Sequence, residues 1–197
     1  SAIFNRVTNE IDLTENEIVR LFSSRGDDFF ETCKFADQLR RDVNGDTVTY
    51  VVNRNINYTN ICTYRCGFCA FSKSTSRSGS RDHPYLIDLA EIRRRTREAW
   101  NRGATEVCLQ GGIHPDFTGD TYLSICQAIK SEVPGIHIHA FSPLEVTQGA
   151  KTLGISIAEF LDALKNAGLS TLPGTAAEIL DDEVREVICP DKIMTNE

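Results

Sequence analysis

The sequence lacks a surplus of positive charge and contains no long apolar run. Its 197 residues include 21 Lys and Arg against 28 Asp and Glu, which gives a formal net charge of -7. Because phosphate neutralisation needs a basic surface, we predict that the protein does not bind nucleic acid. No apolar stretch approaches the roughly 20 residues that span a bilayer, and no secretory signal is recognisable. These absences predict a cytoplasmic protein without a membrane partner.

The sequence gives no sign of a disulfide framework either. It has seven cysteines, an odd number that favours reduced thiols or metal ligands. Cys62, Cys66 and Cys69 lie close together, and the others are scattered, so no second pair completes the four-ligand set of a structural zinc site. Soft thiolates select iron–sulfur clusters, zinc or copper. Three thiolates on a cubane cluster leave one iron open to the amine and carboxylate of a small molecule.

Two segments differ in their hydrophobic periodicity. Residues 1–46 place apolar side chains at helical spacing, which predicts an N-terminal helical segment. From Thr47 onward, β-branched and aromatic residues form a stretch that leads into the cysteines, which predicts a strand. We therefore expect residues 47–197 to form a separate α/β unit.

Strands and helices alternate through the rest of this unit. Amphipathic segments begin at N-terminal capping residues, of which Asp88, Asp120 and Ser156 are the clearest. Three short apolar runs are further candidate strands: 106–109, 136–141 and 170–172. This alternation predicts a parallel sheet with right-handed crossovers, in a doubly wound sheet or part of a (β/α) barrel. A complete eightfold barrel takes roughly 250 residues, so we expect an incomplete barrel of about four strand–helix units.

The spacing of the cysteines, with Phe68 directly before the last of them, resembles the signature of the radical S-adenosylmethionine superfamily. So compact a pattern favours an iron–sulfur cluster over zinc. The resemblance implies a [4Fe-4S] cluster on Cys62, Cys66 and Cys69, with S-adenosyl-L-methionine bound beside Phe68. It also implies reductive cleavage of that cofactor to methionine and a 5′-deoxyadenosyl radical, which the protein must orient and shield from water.

Residues at the carboxyl ends of the predicted strands are further candidates for cofactor binding, because open-sheet and barrel sites lie there. The superfamily has a Gly-Gly-Glu after the second strand that meets the amino group of S-adenosylmethionine through backbone carbonyls. Here Ile113 stands in place of the glutamate, so the backbone contact remains possible and the side-chain contact is lost. The residues assigned to the cofactor on this basis are Gln110, Gly111, Gly112, Ser142 and Glu145.

Polar residues alternate with apolar ones in two of the predicted strands. Asn55, Asn57 and His139 therefore point to one face, where they predict a cavity for a polar substrate. His137 is instead expected to be an ordinary hydrogen-bonded core residue. Further candidates for substrate contacts follow other strands: His114, Asp116, Thr175 and Glu178.

Several stretches together resemble one family within the superfamily. The residues that carry this resemblance are 53–71, 110–116, 139–145 and 172–180. They are similar to the tyrosine-using half of the deazaflavin (FO) synthase, the 5-amino-6-(D-ribitylamino)uracil–L-tyrosine 4-hydroxyphenyl transferase. The resemblance implies that a hydrogen is taken from L-tyrosine, its Cα–Cβ bond breaks, and the p-hydroxybenzyl fragment joins the ribityl-pyrimidine. It also implies a deazaflavin-forming radical partner, as a subunit or a fused half, and an electron donor such as ferredoxin or flavodoxin.

Two other functions remain open from the sequence. Aminofutalosine synthase and the futalosine cyclase of the menaquinone pathway share the asparagine-rich strand, but the run Gly-Thr-Ala-Ala-Glu at 174–178 favours the deazaflavin enzyme. A non-catalytic iron–sulfur module for electron transfer would need no organic-ligand cavity and would have a fourth cysteine ligand. The superfamily's usual domain is a six-strand partial barrel with a carboxy-terminal extension. We therefore expect this chain to be an incomplete fragment that is unstable or inactive in isolation.

Overall fold

The structure, a computed structural model, describes residues 1–64, 66–72, 83–174 and 179–190. The chain forms two compact units, Ser1–Tyr50 and Val51–Glu197. Within the described ranges, no helix combines the length and the apolar character needed to cross a membrane.

The first unit is helical, which confirms the predicted helical lead-in. It contains α1 (Ala2–Thr8), α2 (Glu15–Phe22) and α3 (Asp27–Asn44). Thr14 begins α2 because its hydroxyl accepts from Glu17 N–H while the Glu17 carboxylate accepts from Thr14 N–H, a reciprocal capping box. Ile3 is the one buried apolar residue of these three helices, so this unit has a small core.

The second unit is an α/β fold with a parallel sheet, as predicted. Its elements in chain order are β1 (Asn53–Asn57), α4 (Leu89–Asn101), β2 (Glu106–Gln110), α5 (Gly119–Glu132), β3 (His137–Ala140), α6 (Pro143–Leu153), α7 (Ile157–Asn166) and α8 (Asp182–Ile188). The three strands are parallel and lie in the order β1-β2-β3. This part of a barrel brings the three strand ends to one edge of the sheet.

The fourth predicted strand is reduced to a bridge. Thr171 pairs in parallel with His139, and the backbone N–H of Ala140 donates to Thr171 O at 3.0 Å. Ser170 N–H donates to Ile138 O, also at 3.0 Å. The run at 170–172 therefore extends the edge of the sheet beside β3 without forming a full strand.

The two faces of the sheet differ in chemistry because side chains alternate along each strand. One face carries the fully buried residues Ile56, Val107, Leu109, Ile138 and Ala140, with Arg54 at the start of β1 as its one polar member. The buried residues share one hydrophobic core with residues of the surrounding helices, including Ile92 of α4, Ile129 of α5 and Phe160 of α7. Full burial of such side chains contributes about 1.5–3 kcal/mol each.

The opposite face of the sheet is polar, and its residues lie in three rungs set by the strand register. Asn53, Glu106 and His137 form the first rung, at the amino ends of the strands. The second rung contains Asn55, Cys108 and His139, and the third contains Asn57 and Gln110. Alternation in β1 and β3 predicts this face, and the register places the two sets of polar side chains side by side.

α6 is a helix that the sequence prediction does not include. Ser142 caps it, since its hydroxyl accepts from Glu145 N–H at 3.3 Å, and Pro143 occupies the first turn, where no N–H is needed. β3 therefore passes directly into a helix whose first turn carries Glu145. This turn positions two of the residues that the sequence assigns to the cofactor.

Candidate functional site

The three clustered cysteines line one cavity beyond the carboxyl end of β1. Cys62, Cys66 and Cys69 are partly buried and border a space of about 330 Å³. A hydrogen bond attaches the loop that carries them to the end of α8, since Gly67 N–H donates to Ile188 O at 2.7 Å. The structure therefore brings all three thiols to the same cavity and fixes the loop between them.

Backbone N–H groups point at two of the sulfur atoms. Ile113 N–H donates to Cys62 Sγ at 3.3 Å, and Ser72 N–H donates to Cys69 Sγ at 3.4 Å. Such donors stabilise thiolates and tune the iron–sulfur clusters that thiolates hold. In the part of the chain that the structure describes, no three potential ligands converge on a position for a single metal ion. A cubane cluster does not require that convergence, because each thiolate binds a different iron.

The glycine pair after β2 allows two pieces of backbone to approach closely. A Cβ on Gly111 would lie 2.3 Å from the ring of Tyr58, and one on Gly112 would lie 2.2 Å from Ile61 O. Gly112 N–H donates to Thr59 O at 3.0 Å, so the two segments also pair through their backbones. The glycines thus set the end of β2 directly against the segment that leads into Cys62. Ligand access is not the only physical reason for glycine here.

Glu145 joins the ends of the three strands through its buried carboxylate. Its Oε1 accepts from the hydroxyl of Tyr58 beyond β1 and from Gly111 N–H beyond β2, the latter at 3.2 Å. Its Oε2 accepts from Ser142 N–H at 2.6 Å and from Ser142 Oγ at 2.7 Å. Burial raises the pKa of Glu145, although these hydrogen bonds oppose the shift. These donors occupy about as many positions as a carboxylate offers, which favours a role in positioning Gly111.

Tyr122 of α5 places a second phenol beside the same network. Its hydroxyl is buried and has no hydrogen-bond partner in the described part of the chain. Burial raises the pKa of Tyr122, and the nearby Glu145 and Cys62 add to that shift. Sequence reasoning misses both Tyr58 and Tyr122, since each has the spacing of an ordinary core residue.

Several residues assigned to the cofactor or substrate line the cavity together. Besides the cysteines, these are Asn55, Asn57, Gln110, Gly111, Gly112, Ser142 and Glu145. His139 does not line it but binds Thr171, with His139 Nδ1 at 2.7 Å from Thr171 Oγ1. His137 is hydrogen-bonded to the same hydroxyl at 2.8 Å, as expected, but its side chain is 41% exposed, so it is not the core residue that the sequence predicts.

Other candidates lie apart from the cavity. The Phe68 residue is 52% exposed and is not part of the cavity wall. His114 is buried and stacks on Phe117 at 4.8 Å, and its Nδ1 accepts from Asp116 N–H. The side chain of Asp116 is 89% exposed. Thr175 and Glu178 fall outside the described residues.

The amino-acid sequence is similar to proteins of known family. The family model of the Radical SAM superfamily matches residues 56–195. The FO synthase of Streptomyces coelicolor is 49% identical over 181 residues, which are 92% of this chain and 20% of that protein. The 5-amino-6-(D-ribitylamino)uracil–L-tyrosine 4-hydroxyphenyl transferase of Archaeoglobus fulgidus is 51% identical over 168 residues, 85% of this chain and 47% of that protein. The chain therefore spans less than half of the length of either relative.

The fold is similar to that of a solved structure. The FeFe-hydrogenase maturase HydG from Carboxydothermus hydrogenoformans superposes with a TM-score of 0.69. The match covers 99% of this chain and 42% of that protein, at 20% sequence identity. At that identity the likeness concerns the fold alone, and it agrees with the partial barrel described above.

Proposed function

Because the chain belongs to the Radical SAM superfamily, we propose that it binds a [4Fe-4S] cluster on Cys62, Cys66 and Cys69 and, as part of a larger enzyme, couples the p-hydroxybenzyl part of L-tyrosine to 5-amino-6-(D-ribitylamino)uracil. The observation that carries this proposal is the single cavity shared by the three thiols and the glycine pair. Relatives that are 49% and 51% identical, named as FO synthase and the 4-hydroxyphenyl transferase, support the choice of substrates.

The residues around the cavity fit an iron–sulfur cluster with one open iron. Two of the sulfurs already accept backbone N–H groups, and the Tyr122 hydroxyl, which has no hydrogen-bond partner among the described residues, lies in the same region as Cys62 and Glu145. When bound, the cluster and S-adenosyl-L-methionine would supply a 5′-deoxyadenosyl radical that takes a hydrogen atom from the substrate. The residues of this chain would bind the groups, hold Gly111 and Gly112 beside them, and limit the access of water.

The polar wall of the cavity suits the second substrate. Asn55, Asn57 and Gln110 present carboxamides from adjacent rungs of the sheet, and all three line the cavity. A carboxamide offers both donors and an acceptor, which complements the alternating N–H and C=O groups of a pyrimidine and the hydroxyls of a ribityl chain. An electron-transfer module would need no such wall, so the cavity favours an enzyme.

The complete reaction requires components beyond this chain. We propose that a ferredoxin or flavodoxin supplies the electron and that a deazaflavin-forming radical enzyme, fused or separate, uses the coupled product. A reducing cytoplasm suits thiolates that must stay reduced to bind iron. The match spans 20% and 47% of the lengths of the two relatives, and the experiment below therefore uses the full-length parent.

The test is anaerobic turnover by the reconstituted full-length parent. Dithionite-reduced protein is incubated with S-adenosylmethionine, L-tyrosine and the ribityl-pyrimidine, and mass spectrometry follows 5′-deoxyadenosine and the coupled product. We expect Cys66→Ala to abolish cluster loading and both products. Cys33→Ala is the matched control, because Cys33 is an exposed cysteine of the first unit, and it should load iron normally.

Two outcomes would overturn the proposal in different ways. A cluster-loaded protein that does not cleave S-adenosylmethionine would refute the radical enzyme and leave the electron-transfer module. Cleavage without consumption of tyrosine would refute the substrates and favour another radical enzyme, with the menaquinone-pathway type as the first to assay.

A further inference from the structure

Two histidines on the polar face of the sheet share a single hydroxyl group. His137 Nε2 lies 2.8 Å and His139 Nδ1 lies 2.7 Å from Thr171 Oγ1. Both histidines belong to β3 and point to the same face, and Thr171 is held opposite His139 by a parallel bridge. The three side chains therefore form a continuous hydrogen-bonded line that runs along the strand.

The chemistry of a hydroxyl couples the two imidazoles. A threonine hydroxyl donates one proton and accepts up to two, and each neutral imidazole has one N–H and one bare nitrogen. In one arrangement His139 Nδ1–H donates to Thr171, and the Thr171 hydroxyl donates to His137 Nε2. In the reverse arrangement every donor becomes an acceptor. Switching from the first arrangement to the second takes up one proton at His139 Nε2 and releases one at His137 Nδ1.

The surroundings give this line a direction. His139 shares its rung with Asn55, which lines the cavity, and its Nε2 has no hydrogen bond to any described residue. His137 lies two residues toward the amino end of β3, where its side chain is 41% exposed. Glu106 Oε2 lies 3.8 Å from His137 Nε2. The His139 end of the line lies in the same rung as Asn55, which lines the cavity. The His137 end is exposed to solvent and lies near the Glu106 carboxylate.

We propose that His139, Thr171 and His137 form a proton relay that takes a proton from a substrate bound against the polar face of the sheet, beside the cavity, and delivers it to solvent at His137. A substrate N–H or O–H gives its proton to His139 Nε2, and His139 passes its Nδ1 proton to Thr171. Thr171 passes its own proton to His137 Nε2, and His137 releases its Nδ1 proton to water. One proton enters and one leaves, so the relay returns to neutral with its hydrogen bonds reversed.

The other groups on this face do not compete for the proton. Besides the two histidines, the polar face of the three strands contains one thiol, Cys108, and one carboxylate, Glu106. The other side chains on this face are carboxamides. Burial and the nearby Glu106 raise the pKa of the Cys108 thiol, which keeps it protonated and uncharged. The substrate that gives up the proton is the one named under the proposed function, and the relay rests on that function to this extent.

Removal of the shared hydroxyl tests the relay. In the full-length reconstituted parent, Thr171→Val keeps the shape of the side chain and breaks the line, while Thr171→Ser keeps the hydroxyl. Thr32→Val is the matched control, since the Thr32 hydroxyl donates only to Asp28 O within a helix of the first unit. The measured quantity is the coupled product formed per 5′-deoxyadenosine, with and without added imidazole as a small diffusible base.

We expect Thr171→Val to lower this ratio by about 100-fold or more, the lower end of the range for lost acid–base assistance. Added imidazole should restore it, and Thr171→Ser and Thr32→Val should keep the parent's ratio. A purely structural hydroxyl would respond differently, because imidazole would not rescue its loss. An unchanged ratio in Thr171→Val, or a loss that imidazole does not restore, overturns the relay.

Two further measurements keep the relay separable from folding defects and from the proposed function. If Thr171→Val fails to fold, His139→Asn replaces it, and an unrescued or absent effect overturns the relay. If the parent makes no coupled product, the proposed function fails, and the relay is judged by the ¹⁵N shifts of the imidazole nitrogens. Thr171→Val should then change the tautomer of both histidines, and unchanged shifts at both overturn the coupling.

Discussion

The phenol of Tyr58 donates a hydrogen bond to the carboxylate of Glu145, 87 residues further along the chain, and both side chains are 1% exposed. The same carboxylate accepts from Gly111 N–H and from Ser142. One buried acceptor therefore fixes the ends of all three strands relative to one another. The position of the glycine pair beside Cys62 depends on this contact.

We expect Tyr58→Phe to lower the free energy of unfolding by about 1–3 kcal/mol, because it leaves the buried Glu145 carboxylate one donor short. Tyr122→Phe is the matched control. It removes a hydroxyl that has no hydrogen-bond partner within the described ranges, so its loss should be neutral or stabilising. Chemical denaturation of the apo protein measures both variants. An equal loss in the two would show that the Tyr58 hydroxyl contributes nothing specific.

The pH dependence of stability should report the burial of Glu145. Its pKa is raised in the folded state, so folding favours the protonated form. This contribution is fully present below the unfolded pKa of about 4.5 and is lost as the pH rises through the folded pKa. The unfolding free energy of the parent, minus that of Glu145→Gln, should therefore fall as the pH rises above about 4.5. A difference that stays flat or rises with pH would contradict the assigned direction.

The parts of the fold and site that depend on local patterns are predictable from the sequence. The cysteine spacing lies within one loop, and the N-cap Asp88 and the capping box at Ser156 locate the starts of α4 and α7, although Asp88 and Glu91 do not form the reciprocal box that their spacing suggests. The start of α5 is misplaced by two residues, since its N-cap is Thr118 and not Asp120. Ser142 and Glu145 form a capping box equally well, but their position after a strand also fits a cofactor contact, and α6 is missed for that reason.

The long-range contacts could not be predicted in the same way. Nothing in the spacing of Tyr58 or Glu145 indicates that they meet, because partners far apart in sequence are fixed by the packing of the helices on the sheet. The shared hydroxyl of Thr171 is hidden for a related reason, since the run at 170–172 predicts a strand but not its register with His139. Local pattern thus predicts which residues lie at the strand ends, and packing decides which of them touch.

Gly112→Ala should impair cluster loading. The added methyl would lie 2.2 Å from Ile61 O and 2.8 Å from Cys62 Cβ, so the cysteine loop must shift. Such overpacking costs about 1–3 kcal/mol. The iron bound per protein after anaerobic reconstitution is the measurement. Gly135→Ala is the control, because its added methyl meets Trp100 at an ordinary 3.6 Å. Equal iron content in the two variants would show that the loop tolerates the shift.

Ile113 occupies the position where the superfamily has a glutamate, and its side chain is 4% exposed. Its N–H donates to Cys62 Sγ, and its carbonyl accepts from Thr63 N–H at 2.9 Å, so the backbone contacts do not need the glutamate side chain. Ile113→Glu would bury a carboxylate beside the Cys62 sulfur, and we expect it to lower the unfolding free energy by about 2 kcal/mol or more. Ile113→Val keeps the site apolar and should cost about 0.5–1.5 kcal/mol.

Thermal or chemical unfolding of the apo protein compares the two variants, and calorimetry measures their binding of S-adenosylmethionine. A glutamate variant that is as stable as the valine variant and binds S-adenosylmethionine more tightly would mean that this position opens to the cofactor, contrary to the packing seen here.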